Sequence, residues 1–267
     1  RFHPAKISKK IGIPTINMSS SGKLPNAKKS SSLRPDCFAC AARDRAEWCA
    51  LTHDELSIIN DTKQTREYLP GEVLFHQGDA CKGLYCFEQG MVGVRKVDAE
   101  GNSILLGVTF PGDTLGYRAL LTGGEHHVSA EALKPTTICF VDKATVRKLL
   151  DQNPALGLQY LRRAVEAADV AEEKFLQSVT LSVRARFAHL LLVLKDRYQK
   201  KAEDGEFTLE LPLSRQDLAA MIGIRPETMS RTIKQLESDG IAHFNGRTVH
   251  VPKLDELFDE LEMEHFL

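Results

Sequence analysis

The sequence predicts an α+β protein in three parts: an N-terminal β jelly roll, a long helix after it, and a C-terminal winged helix-turn-helix. Three observations predict this. Between Glu67 and Val141, short alternating stretches (GEVLFHQGD, GLYCFEQGMVGVRKVDAEGNSILLGVTF, PGDTLG) are punctuated by glycine turns, the pattern of many short strands that fold into a two-sheet roll. From Asn153-Pro154 to about Val179, no glycine follows Gly157 and no further proline occurs, so one helix can run unbroken. Residues Leu213 to Ile241 form two amphipathic segments broken at Gly223, and Asn245-Gly246 then signals a hairpin,. At 267 residues, 42% hydrophobic and 27% charged, the chain is long enough for two cores and ordinary for a soluble globular protein.

Residues 1–33 read as a disordered basic arm, because residues 1–34 carry eight Lys/Arg and no acid,. The net charge of −1 thus conceals an acidic remainder, and any affinity for phosphate must come from local placement of cations. A sensory domain is expected over 34–150. It opens on RPDCFACAARDRAEWC, with two residues between Cys37 and Cys40 and eight between Cys40 and Cys49. Thr52-His53-Asp54-Glu55 follows as a capping box, which pins this cysteine loop to a helix start. Lys143 to Leu150 reads as a short helix. Residues 151–181 form the long one, with Pro154 early, where its missing amide costs nothing. On it Leu161, Ala164, Ala168, Ala171 and Phe175 follow 3-4-3-4 spacing, the seam of two packed helices. Asp169, Glu172 and Glu173 lie beside that seam, so pairing two copies brings like charges together. Residues 182–267 make the last domain, entered by an apolar helix from Leu181 to Tyr198 and closed by an amphipathic acidic tail. No run of about 18 apolar residues exists and no secretory signal opens the chain, so no membrane span and a cytoplasmic location are expected.

In the C-terminal domain Ser214 opens a helix, Gly223 turns the chain, and Pro226 starts a second helix whose Met229, Ile233 and Leu236 face inward. Glu227, Ser230, Arg231 and Lys234 are left outside. A helix-turn-helix sets such residues against base edges: Arg231 suits a bidentate contact to guanine, Glu227 accepts from a cytosine amino group, and Ser230 serves either. Arg215, Arg225 and Thr228 complete the candidate DNA-contacting set. The plainer alternative is two amphipathic helices joined by a glycine.

The stretch Glu227-Thr228-Met229-Ser230-Arg231 resembles the E-x-x-S-R recognition motif of the FNR branch of the Crp/Fnr family, and Pro226 stands where the cyclic-AMP-receptor branch usually has arginine. The resemblance covers roughly residues 35–252. It implies a homodimer that binds double-stranded DNA at a TTGAT inverted repeat and works with RNA polymerase. It also implies a sensory roll like the cyclic-nucleotide-binding domain. No cyclic nucleotide is expected, because Gly112-Asp113 is followed by Gly124-Glu125-His126-His127 and the arginine that would grip a cyclic phosphate is missing.

The cysteines are similar to those of FNR-type oxygen sensors: three near the N-terminus and one at the end of the β domain. This implies a [4Fe–4S] cluster held by Cys37, Cys40, Cys49 and Cys139, a clustered set with one remote ligand. Zinc and unliganded redox thiols stay open as alternatives, as does control without any cluster. The gap from Cys40 to Cys49 is wider than in the best-known members, and Cys81 is the substitute if Cys49 fails. Cys86, between apolar neighbours, is expected to act as a small hydrophobe, and His126-His127 as a solvated loop pair. An enzyme is the rival class, a thiol oxidoreductase using Cys37-x-x-Cys40. No βαβ pattern surrounds that motif, and no Ser-His-Asp set or phosphate-cradling glycine loop occurs elsewhere, so the chain reads as a regulator.

Overall fold

The computed structural model describes residues 36–198, 205–211 and 213–262; the basic arm expected at 1–33 lies outside the described residues. The chain enters through two 3₁₀ turns, Arg43–Arg45 and Glu47–Ala50, and then α1 (His53–Thr62). As its sequence predicts, Thr52 and Glu55 cap α1 reciprocally, with Glu55 N donating to Thr52 Oγ1 at 3.3 Å and Thr52 N to Glu55 Oε2 at 2.8 Å.

Eight strands follow: β1 (Gln64–Tyr68), β2 (Val73–Phe75), β3 (Gly83–Gln89), β4 (Val92–Val97), β5 (Ser103–Thr109), β6 (Thr114–Leu115), β7 (Ser129–Ala132) and β8 (Thr136–Asp142). They form two antiparallel four-stranded sheets, ordered β1-β8-β3-β6 and β2-β7-β4-β5. Alternation along each strand sends Tyr68, Phe75, Phe87, Val92, Ala130 and Ile138 into a shared core, as a two-sheet roll requires. The short helix α2 (Tyr117–Thr122) bridges β6 and β7.

Asp142 caps α3 (Lys143–Gln152), and Asn153 caps α4 (Pro154–Thr180), accepting from Ala155 N at 3.0 Å and Leu156 N at 3.3 Å. Pro154 takes the first-turn position that tolerates it,. Helix α4 runs for 27 residues but buries only Leu156, Tyr160 and Gln177. A second core, joining Trp48, Ile59, Leu84, Val141, Leu149, Leu156 and Tyr160, locks the cysteine loop, the roll and the start of α4 together.

The last domain holds α5 (Val183–Tyr198), β9 (Phe207–Glu210), α6 (Arg215–Met221), α7 (Pro226–Ser238), β10 (His243–Asn245), β11 (Thr248–Val251) and α8 (Leu254–Glu262). The wing is a three-stranded sheet, β10-β11-β9, one strand larger than the hairpin alone. Its core reaches beyond the domain, for Leu105 of β5 is fully buried in it. Arg95 of β4 donates to Glu131 at 2.6 Å and to Asp217 at 2.8 Å, so the roll is docked on the first helix of the helix-turn-helix.

Candidate functional site: a DNA-reading helix and a cysteine pocket

Helix α7 is positioned by the turn before it. Gly223 adopts φ +70°, a left-handed conformation that side chains disfavour, and Ile224 N then returns to Ala219 O at 3.0 Å. Asp217 and Ser214 form the capping box of α6. Met229, Thr232, Ile233 and Leu236 are buried, which leaves Arg225, Glu227, Arg231 and Lys234 exposed, with Thr228 and Ser230 half-buried beside them. Arg215 is exposed at the head of α6. Arg231 lies across the same turn, its Nη2 3.5 Å from Thr228 Oγ1, so the guanidinium is extended along the outer face. Six of the seven residues of the sequence-based set thus lie on α7 or at its N-cap, where Arg231 and Glu227 can offer a fork of donors and a carboxylate,, while Arg215 stands on the preceding helix.

The cysteines divide differently from the expected set. Cys37, Cys40, Cys86 and Cys139 line one cavity of about 40 Å³, close to the space of a single water molecule. Cys49 does not line it and is exposed. Cys81 is buried elsewhere, its Sγ 3.5 Å from Gly83 O. Cys37 is held by its own N–H to Asn60 Oδ1 at 2.9 Å, and Lys63 Nζ donates to its sulfur at 3.0 Å. Burial pushes the Cys139 thiol up to about 11, with Lys63 opposing, and burial pushes the Cys86 thiol higher still. Cys86 is also no plain hydrophobe, because Trp48 Nε1 donates to its sulfur at 2.7 Å. Four thiols are the donor set that iron–sulfur and Cys₄ zinc groups require. As the chain stands, no three Cys, His, Asp or Glu among the described residues converge to hold a metal ion.

What the cysteine loop touches on its other side is the foot of α4. Trp48 meets the Tyr160 ring edge-on at 6.4 Å. Glu47, 5% exposed, pairs with Arg163 Nε at 3.2 Å, while Arg163 Nη2 donates to Asp113 at 2.6 Å. Burial raises the Glu47 carboxyl above its usual range and Arg163 opposes the rise. Asn153 Nδ2 closes the set, donating to Ala50 O at 3.0 Å and Glu55 Oε2 at 2.8 Å. The loop also lies on Gly112, whose φ is +95°; a Cβ there would stand 2.8 Å from Arg45 Cβ. None of Glu47, Trp48 or Arg163 stood out in the sequence. The available signal was a lone tryptophan beside a cysteine.

Along α4 the expected seam residues Leu161, Ala164, Ala168, Ala171 and Phe175 are all exposed. Leu158, Val165, Leu176 and Val179 are exposed with them and were missed by the sequence reading. A heptad register begun at Leu158 would have found Val165 and Val179.

The roll has its own open cleft of about 750 Å³, lined by Gln77, Lys96, Glu125, His126, His127 and Lys143 among others. No arginine lines it. His126 departs from the solvated pair expected: it is 4% exposed and stacks on Phe75 with centroids 3.8 Å apart. Burial lowers its pKa, and the Asp79 charge opposes this.

Comparison with known proteins matches both halves. Residues 65–153 fit the cyclic nucleotide-binding domain and residues 185–259 the Crp-like helix-turn-helix domain. The nitrogen fixation regulation protein FixK of Bradyrhizobium diazoefficiens is 29% identical over 76% of this chain and 84% of that protein. The transcriptional activator protein FnrL of Cereibacter sphaeroides is 24% identical over 84% and 91%. The solved structure of FixK2 from Bradyrhizobium japonicum superposes with a TM-score of 0.63 at 25% identity, covering 74% of this chain and 96% of that one. With a reading helix exposed on a winged helix-turn-helix and a nucleotide-domain roll beneath it, the chain belongs to the Crp/Fnr family of DNA-binding transcription regulators and is not an enzyme.

Proposed function

We propose that the chain is a homodimeric regulator of the FNR type, responsive to oxygen or redox state, that binds an inverted repeat and carries a [4Fe–4S] cluster at its cysteine loop. The observation that carries the reading is the seat of residues 47–50, wedged between a cavity lined by cysteines and the first turns of α4. Cysteines of the loop would hold such a cluster through their thiolates, and the chemistry it would supply is reactivity toward oxygen. The chain's own residues do the rest: Glu47 holds Arg163, Trp48 supports Tyr160, and Ala50 accepts from Asn153, so the loop sets the foot of α4.

The exposed stripe from Leu158 to Val179 suits a second copy of the chain, and Asp169 and Glu172 beside it keep that pairing marginal and therefore adjustable. Pairing sets two α7 helices against half-sites about 34–36 Å apart. Relatives named as transcriptional activators support action with RNA polymerase in the bacterial cytoplasm. A cluster-free regulator controlled through its thiols is the second reading, favoured by the lack of a converged ligand set among the described residues.

The test is the visible spectrum of anaerobically purified protein, recorded beside its binding to a TTGAT inverted repeat before and after air. The expected outcome is a coloured protein whose DNA affinity falls about a hundredfold in air as one half-site is lost. A colourless anaerobic protein that binds equally in both conditions overturns the cluster and leaves the cluster-free regulator.

A further inference from the structure

We infer that Arg95, a residue of the roll, is a positioning residue for DNA reading: with Leu105 it holds the helix-turn-helix head at a fixed angle to the roll. Between α4 and α5 just Leu181 and Ser182 are non-helical, and Leu181 is extended, so the chain by itself leaves a hinge there. What fixes the hinge comes from β4 and β5. Arg95 and Leu105 are direct cross-strand partners, and the register shifts between Val94 and Arg95, a bulge of the kind that re-aims the side chains of a strand. Partners so paired project from one face, and that face meets α6. Leu105 is fully buried in the core of the head, and Val108 and Leu133 pack against the same core. Gly93 makes the room, for a Cβ on it would stand 2.9 Å from Leu105 Cδ1 and 3.1 Å from Leu133 Cδ1.

Beside this apolar plug Arg95 spans two carboxylates, Glu131 of the roll and Asp217 of the head. Asp217 uses its other oxygen to cap α6, accepting from Ser214 N at 3.1 Å and from Ser214 Oγ at 2.7 Å, so the roll grips that helix at its rigid first turn. Next to Leu105, the Leu106 carbonyl accepts from Lys174 Nζ of α4 at 3.1 Å. One strand therefore ties the head to the roll and to the long helix together. Docking leaves Arg225, Glu227, Arg231 and Lys234 exposed, so the pose that Arg95 holds is one that presents α7 to DNA. Without Arg95, Glu131 and Asp217 remain as like charges across the joint and oppose docking.

The test is Arg95→Met in the full chain, titrated onto a full inverted repeat and onto DNA with one half-site; this readout rests on the homodimer reading above. A freed head still reads one half-site, but two freed heads lose their fixed separation. Affinity for the full repeat is therefore expected to fall about tenfold, while half-site affinity stays within about twofold of wild type. Arg95→Lys keeps the charge without the fork that spans two carboxylates, and its loss is expected to be intermediate. Wild-type affinity of Arg95→Met for the full repeat, or an equal loss on both DNAs, overturns the inference. Wild type that binds the full repeat no better than the half-site overturns the homodimer reading instead, and hydrogen exchange then decides the role of Arg95. Faster exchange across α6 in Arg95→Met, with β3 and β8 unchanged, supports the inference, and unchanged exchange across α6 overturns it.

Discussion

Arg163→Met tests the link between the cysteine loop and α4. The guanidinium joins Glu47 Oε1 at 3.2 Å and Asp113 Oδ1 at 2.6 Å, and the Glu47 side chain is only 4% exposed. Removing one partner of a buried pair leaves the other charge without compensation, which costs about 3–5 kcal/mol. Arg163 and Asp113 keep 25% and 18% of their side chains in solvent, so losing this arm costs less than stranding the Glu47 carboxylate, which has almost no access to water. A loss near the lower end, about 3 kcal/mol, is expected at pH 7.5. The sign with pH follows from Glu47. Its folded pKa already lies above its ordinary value through burial and rises further once Arg163 is gone. The stability of the variant is thus fully present below the unfolded pKa of about 4.3 and is lost as pH rises through the folded pKa, so the deficit shrinks on acidification. Glu47→Gln in the same chain should recover much of the loss by removing the stranded charge. The assay is urea unfolding followed by fluorescence of Trp48, the only tryptophan and the neighbour of Glu47. A loss below about 1 kcal/mol that is flat from pH 5 to 8 and unrelieved by Glu47→Gln would refute the reasoning.

Other outcomes follow from the same geometry. Arg231→Ala should cost about 1–3 kcal/mol on the cognate repeat and relax one base position; equal loss on random DNA, in a salt-controlled gel shift, would mean that Arg231 meets phosphate alone. Leu161→Glu with Phe175→Glu, placing carboxylates on the exposed stripe of α4, should make the chain monomeric by light scattering while leaving its thermal unfolding within a few degrees of wild type; an unchanged dimer would put the pairing surface elsewhere. His126 has a depressed pKa from burial, so its contribution is present above the ordinary histidine pKa of about 6.5 and lost as pH falls through the lower folded value. His126→Phe, which keeps the stack on Phe75, should therefore flatten the fall in Tm below pH 6.5; parallel slopes would show that acid unfolding starts from another group.

Much of the architecture was legible because it is encoded by neighbours in the chain. The Thr52–Glu55 box, Asn153-Pro154 before a long glycine-free run, and Gly223-x-x-Pro226 each specify a local conformation through hydrogen bonds or φ restrictions that span a few residues,. The same holds for the outer face of α7, where 3.6-residue periodicity separates Met229 and Ile233 from Glu227 and Arg231. The cysteines resisted this treatment. Spacing groups Cys37, Cys40 and Cys49, yet Trp48 turns inward beside Cys49 and carries that thiol to the surface.

By itself the sequence determined the order of roll, long helix and winged helix, the capped ends of α1 and α4, and the residues that face outward on α7. Only the tertiary structure decided that Cys86 lies opposite Cys139, that Glu47 meets Arg163, and that Arg95 reaches Asp217. The first set depends on contacts within a turn or two of helix or strand. The second depends on strand register and on how separate layers dock, and these are selected by burying side chains 53, 116 and 122 residues apart in the chain, a separation that no local pattern records.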